Sequence, residues 1–93
     1  MTQPVRIQRK RSKGWRMTLD TIYVGRPTQW GNPFFVGRQG TADECVRKYE
    51  RWLVTEMPIL LSEVQILRGK NLACFCKSDD PCHADILLRL ANQ

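Results

Sequence analysis

The sequence predicts a small α/β domain, a unit of two or three layers with a short, mainly parallel sheet and about three helices. Three observations predict it. Two short runs of strand character, Thr21–Val24 and Asn71–Cys76, are separated by a long stretch with helical periodicity. Strands joined through helices need a crossover connection, and a crossover favours parallel pairing. The chain has 93 residues, 42% hydrophobic and 26% charged, which suits one globular domain and gives no reason to expect disorder.

Residues 1–17 read as a basic arm or an edge strand, with weak alternation at Val5 and Ile7, ahead of a single α/β domain over residues 18–93. Arg6, Arg9, Lys10, Arg11, Lys13 and Arg16 crowd this segment, which contains no acid, and the whole chain carries a formal charge of +6. Such a run is either a solvated arm or a phosphate-contacting one, since clustered Lys and Arg gain affinity by releasing counterions from nucleic acid. Trp15 beside Arg16 could stack on bases or fold the arm onto the domain. As an arm, residues 5–16 would make no essential core contact.

Thr21–Val24 is β-branched and aromatic, reads as a strand, and ends at Gly25. The next segment, 25–34, holds two glycines and two prolines together with Arg26, Trp30, Asn32 and Phe34. Pro27 and Pro33 restrict themselves and their predecessors, so this is a stiff loop bearing large side chains. Thr41 opens the clearest helix, with Glu44 completing a capping box. Ala42, Cys45, Val46, Tyr49, Trp52 and Leu53 form its apolar stripe as far as Glu56, and Cys45 reads as a core thiol. Pro58 ends or restarts the helix. Ile59–Leu67 continues with Leu60, Leu61, Val64 and Leu67 on one side, and Gly69 is a natural stop.

Asn71–Cys76 is short and apolar, like a buried strand of a parallel sheet. Ser78, Asp79 and Asp80 are cap candidates ahead of Pro81 at the first helical position. The last helix is expected over Pro81–Ala91, with Ile86, Leu87 and Leu90 inward. Two predicted strands make a thin sheet, so the arm or the Phe34–Val36 stretch should add a third.

No apolar run approaches the length of a membrane span, and the start, Met-Thr-Gln-Pro-Val-Arg, is not a secretory signal. A cytoplasmic address is therefore expected, without membrane partners. The four cysteines are expected to be thiols in that setting.

In a parallel α/β unit, ligands collect at the carboxyl ends of the strands. Loops 25–34 and 77–83 both leave such ends, so a crevice between them is the expected site. Pro81-Cys82-His83 would lie at a helix N-terminus, where backbone N–H groups favour anions and stabilise a thiolate. Arg26 would clamp a phosphate, and Trp30, Asn32 and Phe34 would contact a base or sugar. This constellation fits a nucleotide or a component of nucleic acid. Were the site an enzyme's, its chemistry would be that of nucleotides or nucleobases, with Cys82, His83 and Asp85 as catalytic groups.

Metal is the competing reading. Cys74, Cys76, Cys82 and His83 make a three-thiolate, one-imidazole set of the kind that holds zinc. Cys74 and Cys76 would share a strand face, whereas Cys82 and His83 would diverge by about 100° on a helix. In that reading the chain is a zinc-stabilised, non-catalytic module that binds nucleic acid through its basic arm. A third reading leaves the cysteines as small buried residues and His83 as a cap. The three stay open at the level of sequence.

Four motifs, Gly14–Met17, Tyr23–Phe34, Gly69–Cys76 and Pro81–Asp85, together resemble domain-of-unknown-function family 4326, found in bacteria and bacteriophages. The resemblance covers nearly the whole chain. It implies that Arg26, Pro27, Trp30, Gly31, Asn32, Pro33, Phe34, Cys74, Cys76, Cys82, His83 and Asp85 are characteristic positions, and it implies no settled activity. The family more often has tryptophan at the place of Phe75 and glycine at that of Ala84.

Overall fold

In the computed structural model, which describes residues 3–77 and 79–93, three strands form one sheet. They are β1 (Arg6–Gln8), β2 (Thr21–Tyr23) and β3 (Asn71–Cys74), in the order β1-β3-β2 with both pairs parallel. Ile7 faces Ala73 across one ladder and Ile22 faces Leu72 across the other. The central strand is the apolar one, with Leu72, Ala73 and Cys74 buried. A strand with neighbours on both sides and helices over its faces has no solvent side to alternate towards. The third strand comes from the basic N-terminal segment, and Phe34–Val36 stays outside the sheet.

The longest helix, α1 (Ala42–Glu56), starts where the local chemistry dictates. The Glu44 N–H donates to Thr41 Oγ1 at 3.2 Å, and the Thr41 N–H donates to Glu44 Oε1 at 3.0 Å. Its fully buried face is Cys45, Tyr49 and Leu53. Val46 and Trp52, expected in the same stripe, are only half-buried, because the strict four-residue spacing narrows the face pressed against its neighbours. Pro58 restarts the chain as α2 (Pro58–Glu63), which tightens into a 3₁₀ turn, Val64–Leu67. The second helical segment expected over Ile59–Leu67 is present, its last turn 3₁₀.

The last helix, α3 (His83–Ala91), packs on β1, β3, α1 and the 3₁₀ turn. It begins at His83 rather than Pro81, and its cap is Cys82 in extended conformation with no side-chain hydrogen bond. Asp79 and Asp80 therefore do not cap it, and Ser78 lies outside the described residues. Leu87, Ala84 and Ala91 are buried, whereas Ile86 and Leu90 pack at the edge of the core. No helix among the described residues is long and apolar enough to cross a membrane.

Candidate functional site

The parallel sheet delivers three chain segments to one edge. The chain leaves β2 at Val24, whose N–H donates to Ala73 O at 2.9 Å, and turns at once into residues 25–34. Glycine permits a close approach at two points of this loop. A Cβ on Gly25 would stand 2.5 Å from the Tyr23 hydroxyl, and one on Gly31 would stand 3.1 Å from Arg26 Cα.

Arg26 ties the loop to itself. Its Nε donates to Asn32 O at 2.8 Å and its NH2 group to Phe34 O at 3.1 Å, while the guanidinium lies 3.8 Å from the Phe35 ring centroid. Asn32, almost fully buried, accepts from the Phe34 N–H at 2.9 Å and donates to Cys45 O at 3.3 Å. The Tyr49 hydroxyl donates to Trp30 O at 2.7 Å, which fixes the loop to α1.

Between this loop and the chain leaving β3 lies a cavity of about 510 Å³. Of the residues picked from sequence, Arg26, Asn32 and Phe34 line it from one side, and Cys74, Cys76, Cys82 and His83 line it from the other. Two others stand elsewhere. Trp30 is 5% exposed and packs in the hydrophobic core, so its ring is not presented to a ligand. Asp85 is outside the cavity lining, and its carboxylate pairs with Arg6 at 3.1 Å. The same Arg6 donates to Lys77 O at 3.0 Å, joining β1 to the loop before α3.

The deepest part of the site is sulfur. The thiols of Cys74, Cys76 and Cys82 all lie within 4.8 Å of one another, and Cys74 Sγ and Cys82 Sγ are 3.1 Å apart. Three cysteines this close could hold a metal ion. Hydrogen bonds from Cys74 and then Cys82 hold the Cys76 thiol far below the usual thiol range, with smaller help from Arg6. The two donors move the opposite way, Cys74 raised by its bond to Cys76 and Cys82 raised by its bonds to Cys74 and Cys76. Cys76 is the most exposed of the three.

His83 is not in the group of mutually close ligand atoms, which among the described residues contains the three cysteines alone. Its ring is held elsewhere. Nε2 lies 2.7 Å from Val24 O, and a carbonyl only accepts, so Nε2 carries the proton. Nδ1 then keeps its lone pair, 3.7 Å from Cys82 Sγ. Burial lowers the His83 pKa, which keeps the imidazole neutral, and the ring packs edge-on to Tyr49 with centroids 5.1 Å apart.

The rim holds residues that were not picked from sequence. Arg9 lies 4.7 Å from the Tyr23 ring centroid and Arg11 lies 4.6 Å from that of Phe75, while Tyr23 and Phe75 meet edge-to-face. Arg38 also approaches Phe35, 5.8 Å from its ring centroid. Arg11, Tyr23, Phe35 and Phe75 all line the cavity. The register brings Arg9 and Arg11 there, since Gln8 opposite Cys74 puts the next residues of the basic run beside Phe75, a pairing not visible in the sequence.

The chain belongs to the family described as domain of unknown function (DUF4326), whose model matches residues 7–93. It is 27% identical over 109 residues to an uncharacterized protein (R718) of Acanthamoeba polyphaga mimivirus, across 97% of this chain and 81% of that protein. No solved structure matches it.

Proposed function

We propose that this DUF4326 domain binds a nucleotide, or another phosphate-bearing component of nucleic acid, in the crevice between residues 25–34 and 77–83. The observation that carries the reading is the pairing of guanidinium and aromatic groups on both sides of the cavity mouth. Arg26 stacks on Phe35 and Arg11 on Phe75. Phe35 and Phe75 are 44% and 37% exposed, so part of each ring is open to a base, with positive charge beside it for a phosphate. The cavity volume, about 510 Å³, is within the range of small-molecule sites. The formal charge of +6 favours an anionic ligand over a neutral one.

Calorimetric titration of the full chain with a nucleoside 5′-monophosphate, the parent nucleoside and inorganic phosphate tests this. The nucleotide should bind at least tenfold more tightly than either fragment. Replacing Phe35 or Phe75 by alanine should weaken it roughly five- to hundredfold, the usual worth of one stacked base. The competing reading, a nucleic-acid module acting through the basic arm, predicts something else. Oligonucleotide affinity would fall steeply with salt and would not respond to Phe35→Ala. That result, or equal binding of nucleotide and nucleoside, would remove the basis for a nucleotide crevice.

A further inference from the structure

We infer that Cys74, Cys76 and Cys82 form a three-thiolate site for a soft divalent cation of the zinc class, with its fourth coordination position open to the cavity. The inference stands on the sulfur geometry and holds whatever ligand fills the crevice.

Tetrahedral zinc with Zn–S bonds of 2.3 Å places its sulfurs about 3.8 Å apart. Here all three sulfurs lie within 4.8 Å of one another and one pair is at 3.1 Å, so small rotations about the side-chain torsions bring them to a common centre. Two of the donors sit at the ends of regular elements. Cys74 ends β3, Cys82 caps α3, and Cys76 lies in the bend after β3 with its sulfur beside theirs. Such anchoring keeps a ligand set organised before the ion arrives. All four cysteines of the chain are free thiols. Thiolate donors select zinc or copper(I) over hard, oxygen-seeking cations. The net charge of a dication with three thiolates is negative, and Arg6, which donates to Lys77 O next to Cys76, holds a cation close by.

The fourth position is assigned by what His83 does. Its Nε2–H is committed to Val24 O, and its ligand nitrogen lies too far from at least one sulfur to join the group. A linear S–Zn–N arrangement reaches only about 4.4 Å, so the ring as placed does not complete the tetrahedron. The Nδ1 lone pair lies beside Cys82 and the ring lines the cavity. Three protein ligands with an open position is the pattern of reactive zinc sites, not of sealed structural ones.

The test uses the intact chain, reduced and then loaded with cobalt(II) as a spectroscopic stand-in for zinc. One equivalent should bind with strong thiolate-to-cobalt charge-transfer absorption, and zinc should displace it. Cys76→Ser should lose at least a hundredfold in cobalt affinity, whereas Cys45→Ser, outside the cluster, should keep it. Adding thiocyanate to the wild-type cobalt protein should shift the d–d bands, because an open position accepts the anion. This readout leaves the buried His83 in place and so does not depend on a variant that fails to fold. Absence of cobalt binding, or a Cys74–Cys82 disulfide in place of a metal in the purified protein, would overturn the site. Bands unmoved by thiocyanate would show four protein ligands and overturn the open position.

Discussion

Replacing Tyr49 by phenylalanine should cost far more than the same change at Tyr23, although both hydroxyls donate to a loop carbonyl at 2.7 Å. Tyr49 is fully buried, its acceptor Trp30 O is in the same closed interior, and its pKa is raised by that burial. Phenylalanine retains the ring contacts to Trp52 and His83 but leaves a buried carbonyl without a donor. Such a group costs about 1–3 kcal/mol. For a domain of 60–100 residues, each kcal/mol moves Tm by about 4–8 °C, so a central value of about 2 kcal/mol is a fall of roughly 8–16 °C. The Tyr23 hydroxyl reaches Arg26 O in an exposed setting, where water replaces it. That loss should stay below about 1 kcal/mol. Urea unfolding of the three proteins, followed by tryptophan fluorescence, gives the comparison at constant m-value. If Tyr49→Phe shifts the midpoint no more than Tyr23→Phe, water reaches the Trp30 carbonyl and loop 25–34 is not sealed onto α1.

Gly31→Ala should destabilise by about 1–3 kcal/mol in the same assay, since its Cβ would press on the Arg26 backbone at 3.1 Å. Deleting residues 1–8 should abolish the cooperative thermal transition, because it removes β1 and the Arg6 contacts to Asp85 and Lys77; a retained transition would return the segment to a dispensable arm. The Glu44 carboxyl is held below its usual pKa of 4.5, chiefly by the Thr41 backbone N–H. A carboxylate whose folded pKa is depressed adds stability above its unfolded pKa and loses it as pH falls through the folded value. The stability gap between wild type and Glu44→Gln should therefore be constant at neutral pH and narrow below pH 4.5, as read by urea midpoints across pH. Asp85→Asn should leave nucleotide affinity within about twofold, because the carboxylate faces Arg6 and not the cavity; a large loss would return Asp85 to the site.

What was legible in the sequence was what is decided locally. Thr41 and Glu44 make their capping box from four consecutive residues, and the structure has it. The fold class followed from the order of apolar runs, because parallel pairing needs only strands and a crossover between them. Sharing of one cavity by the two loops followed from the same rule. What depends on distant partners was not legible. Trp30 looks like a loop aromatic free to stack, and it is buried because Tyr49, nineteen positions later, takes its carbonyl. The start of α3 was misplaced because Pro81 favours a first helical turn locally, whereas packing on the sheet buries Cys82 as the cap. Apolar periodicity in α1 suggested a wide stripe, but how much of it is covered depends on where α2 and α3 lie.

The basic N-terminal run and the thiol site look like separate features in the sequence, one a charged tail and the other a chemical cluster. The sheet order makes them neighbours. Because β1 pairs in parallel with β3, the residues that follow each strand emerge at the same edge. After β1 come Arg9 and Arg11, and after β3 come Phe75 and Cys76, so the cations necessarily meet the aromatic ring between the cysteines. An antiparallel β1 would carry the same arginines to the far end of the sheet and leave Phe75 without them, packed only on Tyr23. The β2 end supplies Tyr23 and the Arg26 loop on the other flank by the same rule. Three parallel strands of three or four residues each are thus enough to assemble a basic, aromatic rim over a sulfur floor. Reversing or deleting the first strand would dismantle the rim while leaving every thiol in the chain.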